Sequence, residues 1–450
     1  MSDVINWVAI HSEALDILTR YIRINTSNPP GDEAPAARFL GELLEAEGIA
    51  CEYIETAPGR EALVARLSGD GSRRALLLGN HLDVVPVETE FWDVPPFGGV
   101  VRDGRIYGRG AIDMKSAGVM QLIAMLLLRR QDLPLQRDVI FLATPDEEIG
   151  SEFGMRWICK NRPDVVDVEF ALNEGGSGIS DFAGREDHRI FIASVNEKSV
   201  GWLRLSAEGP TGHGSLPAAD NSAIRLLRAL LRLADWEREL QFGAETTRLV
   251  DQLGSAGLLP LAEDSEALAR ALYSDPAAHA MFINTLNVTV IDSGFKANVI
   301  PSRSEAVLDC RLLPGETLED WITQVREQID DPSIVVEPQL DDFVSPISTR
   351  WDTELFATIR DVVSEVFEDA IVAPGVATLA TDNRFLREIG VPAYGFIPCM
   401  LSAEERAGFH AHNEFITIDN LNMGCELMYE IVRRVAQDGA LASTSLSKWA

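Results

Sequence analysis

Basic residues are scarce in this chain. Lysine and arginine number 39 against 70 aspartates and glutamates, a formal net charge of −31. A partner of DNA or RNA needs cationic groups to displace the counterions condensed on phosphate, so this balance argues against nucleic acid. An anionic membrane surface is disfavoured for the same reason. Long apolar runs are missing too: the longest, "GVMQLIAMLLL" at 118–128, falls short of the roughly 20 residues that cross a bilayer. The first stretch, "MSDVINWVAIHSEALDILTRYIRINTSNPP", mixes acids with apolar residues at helical spacing and lacks the basic start and unbroken apolar core of a signal peptide. Cysteine is sparse: Cys51, Cys159, Cys310, Cys399 and Cys425 are scattered, odd in number and without a C-x-x-C pair. That usage suits reduced thiols rather than a disulfide frame, and with the missing signal it leads us to expect a soluble, cytoplasmic protein.

What is present fits a well-cored globular chain. With 450 residues, 46% of them hydrophobic, two domains, or one domain carrying a large insertion, are expected. Up to about residue 196, strand-like runs ("EALVARLSG", "RRALLLGNH", "DVIFLATPDEE", "VEFALNEGG") alternate with helical stretches such as "SAGVMQLIAMLLLRR". This is the pattern of an α/β protein with a mostly parallel sheet flanked by helices. From "SVGWLRLSAEG" the texture changes to alternating strands ("NTLNVTVIDSG", "SEAVLDCRLLPG", "PSIVVEPQL") with the helices "NSAIRLLRALLRLADW" and "TLEDWITQVREQID" between them. Later, "VPAYGFIP" and "LNMGCELMYEIVRRVAQ" resume the first texture. We therefore expect one domain built from residues 1–196 and 343–450, with an α+β unit, 197–342, inserted into it. The stretch 236–283 is longer than a connector needs and is expected to shape that unit or its pocket. The tail "ASTSLSKWA" is expected to be loose.

Candidate chemistry gathers where apolar runs end. "LLLGNHLDVVPV" closes a strand with His81 and Asp83, which project to the same side of an extended backbone, so Asp83 is placed to accept the second ring N–H of His81. "YGRGAIDMKSAG" sets Asp113 in a glycine-rich loop before a helix, where an N-cap is the plain alternative. "PDEEIG" puts Glu147 and Glu148 side by side, "EFALNEGG" puts Glu174 after a third strand, and "GFHAHNEF" supplies His410 and His412. Ligands of an open α/β sheet collect at the carboxyl ends of its strands. His81, Glu147, Glu148 and Glu174 share that edge, and adding Asp113 and one late histidine gives two imidazoles and four carboxylates, an N/O set suited to zinc, with cobalt or manganese as substitutes. Adjacent repelling carboxylates become tolerable when metal charge stands beside them, one as ligand and the other as a base toward water.

These motifs together, with "PPFGGVVRDGRIYGRGAIDMKSAG", "GPTGHGSLP", "ANVIPSRSEAVLDCRLLPG" and "TDNRFLREIGVPAYGF", resemble the zinc-dependent aminoacylase and carboxypeptidase family. That family includes acetylornithine deacetylase, succinyl-diaminopimelate desuccinylase, glutamate carboxypeptidase and the yeast vacuolar carboxypeptidase. The resemblance runs nearly end to end. It implies two zinc ions: His81 and Glu174 on one, Glu148 and His410 on the other, Asp113 bridging them. It also implies Glu147 as general base and Asp83 as the partner of His81. The inserted unit would be a lid and homodimerisation domain whose His213 reaches the neighbouring active site, while Asn298 and Arg311 hold the substrate carbonyl and carboxylate. The implied reaction is hydrolysis of an amide bond in an N-acyl amino acid or small peptide with a free carboxylate. Deacylation of a basic N-acyl amino acid, in the manner of acetylornithine deacetylase, stays open, as does a metal-binding regulatory relative without catalysis.

Overall fold

A computed structural model describes residues 5–437, 446, 447 and 449, less 185–187, 217, 262, 263, 341 and 342. Most of the tail 442–450 therefore lies outside the described residues; within it, the main-chain N–H of Ser447 donates to Glu426 at 2.8 Å.

Two apolar strands, Ala75–His81 and Val139–Thr144, are buried at every position. Such unbroken burial is what a strand covered on both faces requires. They pair parallel to each other, and Val168–Asn173 and then Ala393–Gly395 continue the parallel run. Around this centre the sheet grows to 10 strands. Antiparallel pairs enter on one side, where Arg60–Leu67 joins Val139–Thr144 and Cys51–Ala57 joins Arg60–Leu67.

Helices cover both faces. Lys115–Arg130 is buried along its whole length from Lys115 to Leu128, because the sheet lies beneath it and the helices Trp7–Ile22 and Ile418–Ala436 lie against it. At the crossing with the latter, a Cβ at Gly424 would meet the sulfur of Met120 at 2.4 Å, so a larger residue there would have to displace the Met120 side chain. Met155, Ile158, Val165, Phe385 and Leu386 pack on the opposite face.

The inserted segment builds its own antiparallel sheet of 5 strands, with Arg303–Leu312 at its centre, paired to Leu203–Glu208 and Thr285–Ser293. Arg303–Leu312 alternates buried and more exposed positions, as a strand with one face on a core must. The helices Ser222–Ala234 and Leu318–Ile329 close that core, and Trp236 stacks on Trp321 with ring centres 5.3 Å apart.

The stretch 236–283 departs from expectation. Its helices Ala244–Ser255, Ser265–Tyr273 and Pro276–Ala280 bury Leu249, Val250, Leu253 and Leu268 against Ile190, Ile192 and Ala373 of the large sheet, not against the inserted sheet. Their apolar stripe fits the outer part of the large sheet, where Ile371–Ala377 runs parallel to Ile190–Glu197.

Candidate metal centre

Three neighbouring strands deliver His81, the Glu147–Glu148 pair and Glu174 to one edge of the sheet. His81 is the last residue of its strand, and Glu174 follows Val168–Asn173 directly. After Val139–Thr144 the chain turns sharply at Asp146, whose φ is +74°. That residue is fixed by Arg60 at 2.8 Å and by the main-chain N–H of Phe153 at 2.9 Å. The turn then exposes two main-chain N–H groups, of Glu147 and Glu148, which donate to the two oxygens of the Asp83 carboxylate at 3.0 and 3.1 Å. Adjacent acids are thus held at the main chain: a buried carboxylate grips their backbone and fixes the turn that carries them.

Asp83 thus serves differently from the sequence expectation. The His81 Nδ1 lies 3.0 Å from the main-chain oxygen of Asp83 and 3.6 Å from its carboxylate. A carbonyl oxygen only accepts, so Nδ1 carries the proton and the Nε2 lone pair is left for a metal. Nε2 faces Asp113 at 3.0 Å and Glu174 at 3.5 Å. Across the shared Asp113, His410 Nε2 lies 3.2 Å from its other oxygen and 3.1 Å from Glu148. His81, Asp113 and Glu174 form one ligand triad and Asp113, Glu148 and His410 a second, each with its atoms within 4.8 Å of one another. His412 turns away, 3.2 Å from Glu88 and stacked on Phe91. Asp113 is no N-cap: the helix starts at Lys115, after Met114, without a capping side chain.

The electrostatics call for cations. Burial raises the pKa of Glu147 well above the usual carboxylate value, and Glu174 adds to the effect. Burial likewise lifts Glu174 to about 7, although His81 opposes it. Hydrogen bonds that Asp113 and Glu148 accept from its ring lift His410 to about 10. One oxygen of Glu148 is buried with no hydrogen-bond partner, a cost that a buried acceptor sheds when a ligand arrives. A crowd of desolvated carboxylates, two imidazoles with ring nitrogens aimed at them and an orphaned oxygen fit divalent cations bound by N and O donors.

A second carboxylate, absent from the expected set, holds this arrangement together. Glu414 is fully buried. One of its oxygens accepts from the main-chain N–H groups of Ile112 and Asp113 at 2.8 and 3.2 Å, the other from Gly110 at 3.1 Å and Arg109 at 2.6 Å. Arg109 also donates to the main-chain oxygen of His410 at 3.1 Å. One side chain therefore fixes the loop of the shared ligand and, through Arg109, the loop of His410. Asp382 plays a similar part beneath the turn, accepting from Thr144 at 3.1 Å and from Ser151. Glu414→Ala is expected to cost about 3–5 kcal/mol, because it strands the buried Arg109 charge, and to weaken metal retention. Denaturant unfolding checks the first and metal analysis after dialysis the second; an unchanged midpoint would refute the clamp.

The remaining candidates lie on the inserted segment. His213 and Asn298 are neighbours: Gly212–His213 pairs with Val299–Ile300, and Gly214 donates to the main-chain oxygen of Asn298 at 2.9 Å. Both are exposed. Arg311 sits on Arg303–Leu312, chelated by Asp309 at 2.7 and 3.1 Å. Among the described residues, no hydrogen bond or ion pair joins these three to the metal cluster.

Known proteins carry the same plan. Pig (Sus scrofa) aminoacylase-1 is 29% identical over 447 residues, 96% of this chain and 97% of that protein. The human (Homo sapiens) N-fatty-acyl-amino acid synthase/hydrolase PM20D1 is 29% identical over 380 residues, covering 82% and 76%. Among solved structures, an M20 family metallo-carboxypeptidase, Sso-CP2 of Sulfolobus solfataricus, superposes with a TM-score of 0.71 at 22% identity, covering 94% of this chain and 98% of that one. Human carnosine dipeptidase 1 superposes with a TM-score of 0.72 at 17% identity, covering 96% and 98%. The family model described as Peptidase family M20/M25/M40 matches residues 77–434, and the chain belongs to that family of amidohydrolases and peptidases.

Proposed function

We propose that this protein is a dinuclear zinc hydrolase of N-acyl amino acids, acting on small peptides with a free carboxylate by the same route. The carrying observation is the pair of ligand triads that share Asp113, with Glu147 next in the chain to the ligand Glu148 on a turn whose backbone Asp83 grips. Aminoacylase-1, which matches nearly the whole chain, supports the choice of substrate.

Bound zinc supplies Lewis-acid polarisation of the amide carbonyl and a more acidic water. Glu147, one residue from the ligand Glu148, takes the proton from the attacking water and returns it to the leaving nitrogen. His213 suits an oxyanion donor. Its Nδ1 accepts the main-chain N–H of Ser215 at 3.2 Å, so in the neutral ring Nε2 carries the proton and can donate outward. In this reading Asn298, beside it, holds the substrate carbonyl. Asp309 occupies two donors of Arg311, leaving another for a substrate carboxylate.

Homodimerisation through the inserted sheet belongs to the same proposal. Its edge strand Thr285–Ser293 leaves Val290 and Ile291 more than half exposed, and Phe295 beyond it is 87% exposed. An open apolar edge of this kind invites pairing with another chain. Mixing His213→Ala protein with Glu147→Gln protein, each inactive alone, is expected to restore part of the activity through heterodimers with one intact site. No recovery despite demonstrated subunit exchange would confine His213 to its own chain. A cytoplasmic setting is proposed as well, supported by the five free cysteines.

The substrate reading is tested by turnover of a panel of neutral, acidic and basic N-acyl amino acids and dipeptides. Release of the free amino acid from N-acyl substrates is expected to exceed dipeptide cleavage. The reverse ranking would make the protein a peptidase first.

A further inference from the structure

The segment "NTSNPP", residues 25–30, lies between the helices Trp7–Ile22 and Ala34–Ala46 and supplies none of the ligands. It nevertheless runs beside the metal centre. The Asn28 N–H donates to the Val84 carbonyl at 2.9 Å, the Val84 N–H to the Thr26 carbonyl at 3.1 Å and the Thr26 hydroxyl to the Leu82 carbonyl at 2.7 Å, with Ser27 and Val84 paired in parallel. The main chain of Asn28 is thereby fixed to the residues that follow His81.

Its side chain sits between two buried carboxylates. The amide nitrogen of Asn28 donates to Asp83 at 2.8 Å and to Asp146 at 3.1 Å, and all three residues are at most 1% exposed. The amide oxygen is buried without a partner. Turning the amide over would set that oxygen against both carboxylates, so the orientation is settled by chemistry: an amide has two N–H donors, and each serves one charge. Asp146 shares its only cation, since Arg60, 2.8 Å from it, is also chelated by Glu33 at 2.6 and 3.0 Å. Asp83 has no lysine or arginine partner among the described residues. Its donors are the N–H groups of Glu147 and Glu148 and the amide of Asn28.

We propose that Asn28 is a positioning residue for the hydrolysis: by giving one amide hydrogen to Asp83 and the other to Asp146, it ties the turn that carries Glu147 and Glu148 to the strand end that carries His81. The proposal rests on the roles given to those two glutamates above. The turn is held at two points, at its N–H groups by Asp83 and at the side chain of Asp146, which accepts from Phe153 with its other oxygen. Asn28 joins the two points. Without it, two desolvated carboxylates face each other with no donor between them, and the low polarity of the site makes their repulsion strong. They move apart, and the turn moves with Asp146.

Two variants separate hydrogen bonding from packing. Asn28→Asp keeps the size and shape of the side chain and removes both donors, whereas Asn28→Ala removes the donors without adding charge. In each, kcat is expected to fall about tenfold or more with KM within about twofold of the parent, because a displaced base costs rate rather than binding. Two further readouts need no substrate. One is the visible absorption of the cobalt-loaded protein, which follows the geometry of its ligands. The other is amide hydrogen exchange over residues 146–150, where Asp83 protects the N–H groups of Glu147 and Glu148. Both are expected to change in the Asn28 variants, exchange by about tenfold or more. Neither should change in Val363→Ala, which opens a cavity in the core among side chains outside the metal cluster. A folded Asn28→Ala protein whose cobalt spectrum and exchange match the parent overturns the proposal. No turnover of any N-acyl amino acid by the parent would instead overturn the hydrolase reading, while the spectrum and the exchange still decide whether Asn28 ties the turn to the strand end.

Discussion

Glu147→Gln is expected to keep both metal ions and to lose a factor of about 10²–10⁴ in turnover. The substitution removes the proton acceptor but touches no ligand triad, since Glu147 belongs to neither. It also leaves intact the main-chain N–H that donates to Asp83, so the turn should not move. Glu148→Gln contrasts with it. Glu148 faces His410 at 3.1 Å and carries the orphaned buried oxygen, so its loss of charge should lower metal content directly. Near-normal turnover in Glu147→Gln with metals in place would remove the assigned base. Unchanged metal stoichiometry in Glu148→Gln would mean that the two glutamates have exchanged roles.

His410→Ala is expected to lose close to one metal ion per chain and nearly all turnover. Its Nε2 lies within 3.2 Å of both Asp113 and Glu148, and removing it leaves one triad with carboxylates alone. His412→Ala should keep its metals, because that ring is engaged with Glu88 and Phe91 at the surface. Metal analysis of the two variants in parallel decides the matter; metal lost from His412→Ala but not from His410→Ala would shift the ligand by two residues.

The sequence made the strand ends readable because an unbroken apolar run stops at the residue where the chain leaves the core. His81, Glu148 and Glu174 announce themselves in that way, and the structure brings them to one edge. Choosing between His410 and His412 was beyond spacing alone and followed from family resemblance; the geometry now separates them. Glu414 sits in the same "HAHNEF" stretch but is not legible there, since its partners Arg109, Gly110, Ile112 and Asp113 lie some 300 residues earlier and local pattern carries no trace of such a distant bond. Asp83 was legible as a partner of His81, but its grip on the Glu147 turn depends on strand order, which periodicity does not encode. The helices of 244–280 show the same limit. An amphipathic stripe reveals that a face is buried, not which sheet buries it.

The central claim, that the two triads around Asp113 hold the metals on which amide hydrolysis depends, is tested most directly by stripping the protein and titrating zinc back while following N-acyl amino acid turnover. The expected result is no turnover in the stripped protein and recovery that levels off near two equivalents of zinc per chain. Full turnover by protein shown to be free of metal, or zinc uptake in an Asp113→Ala variant equal to that of the parent, would contradict it.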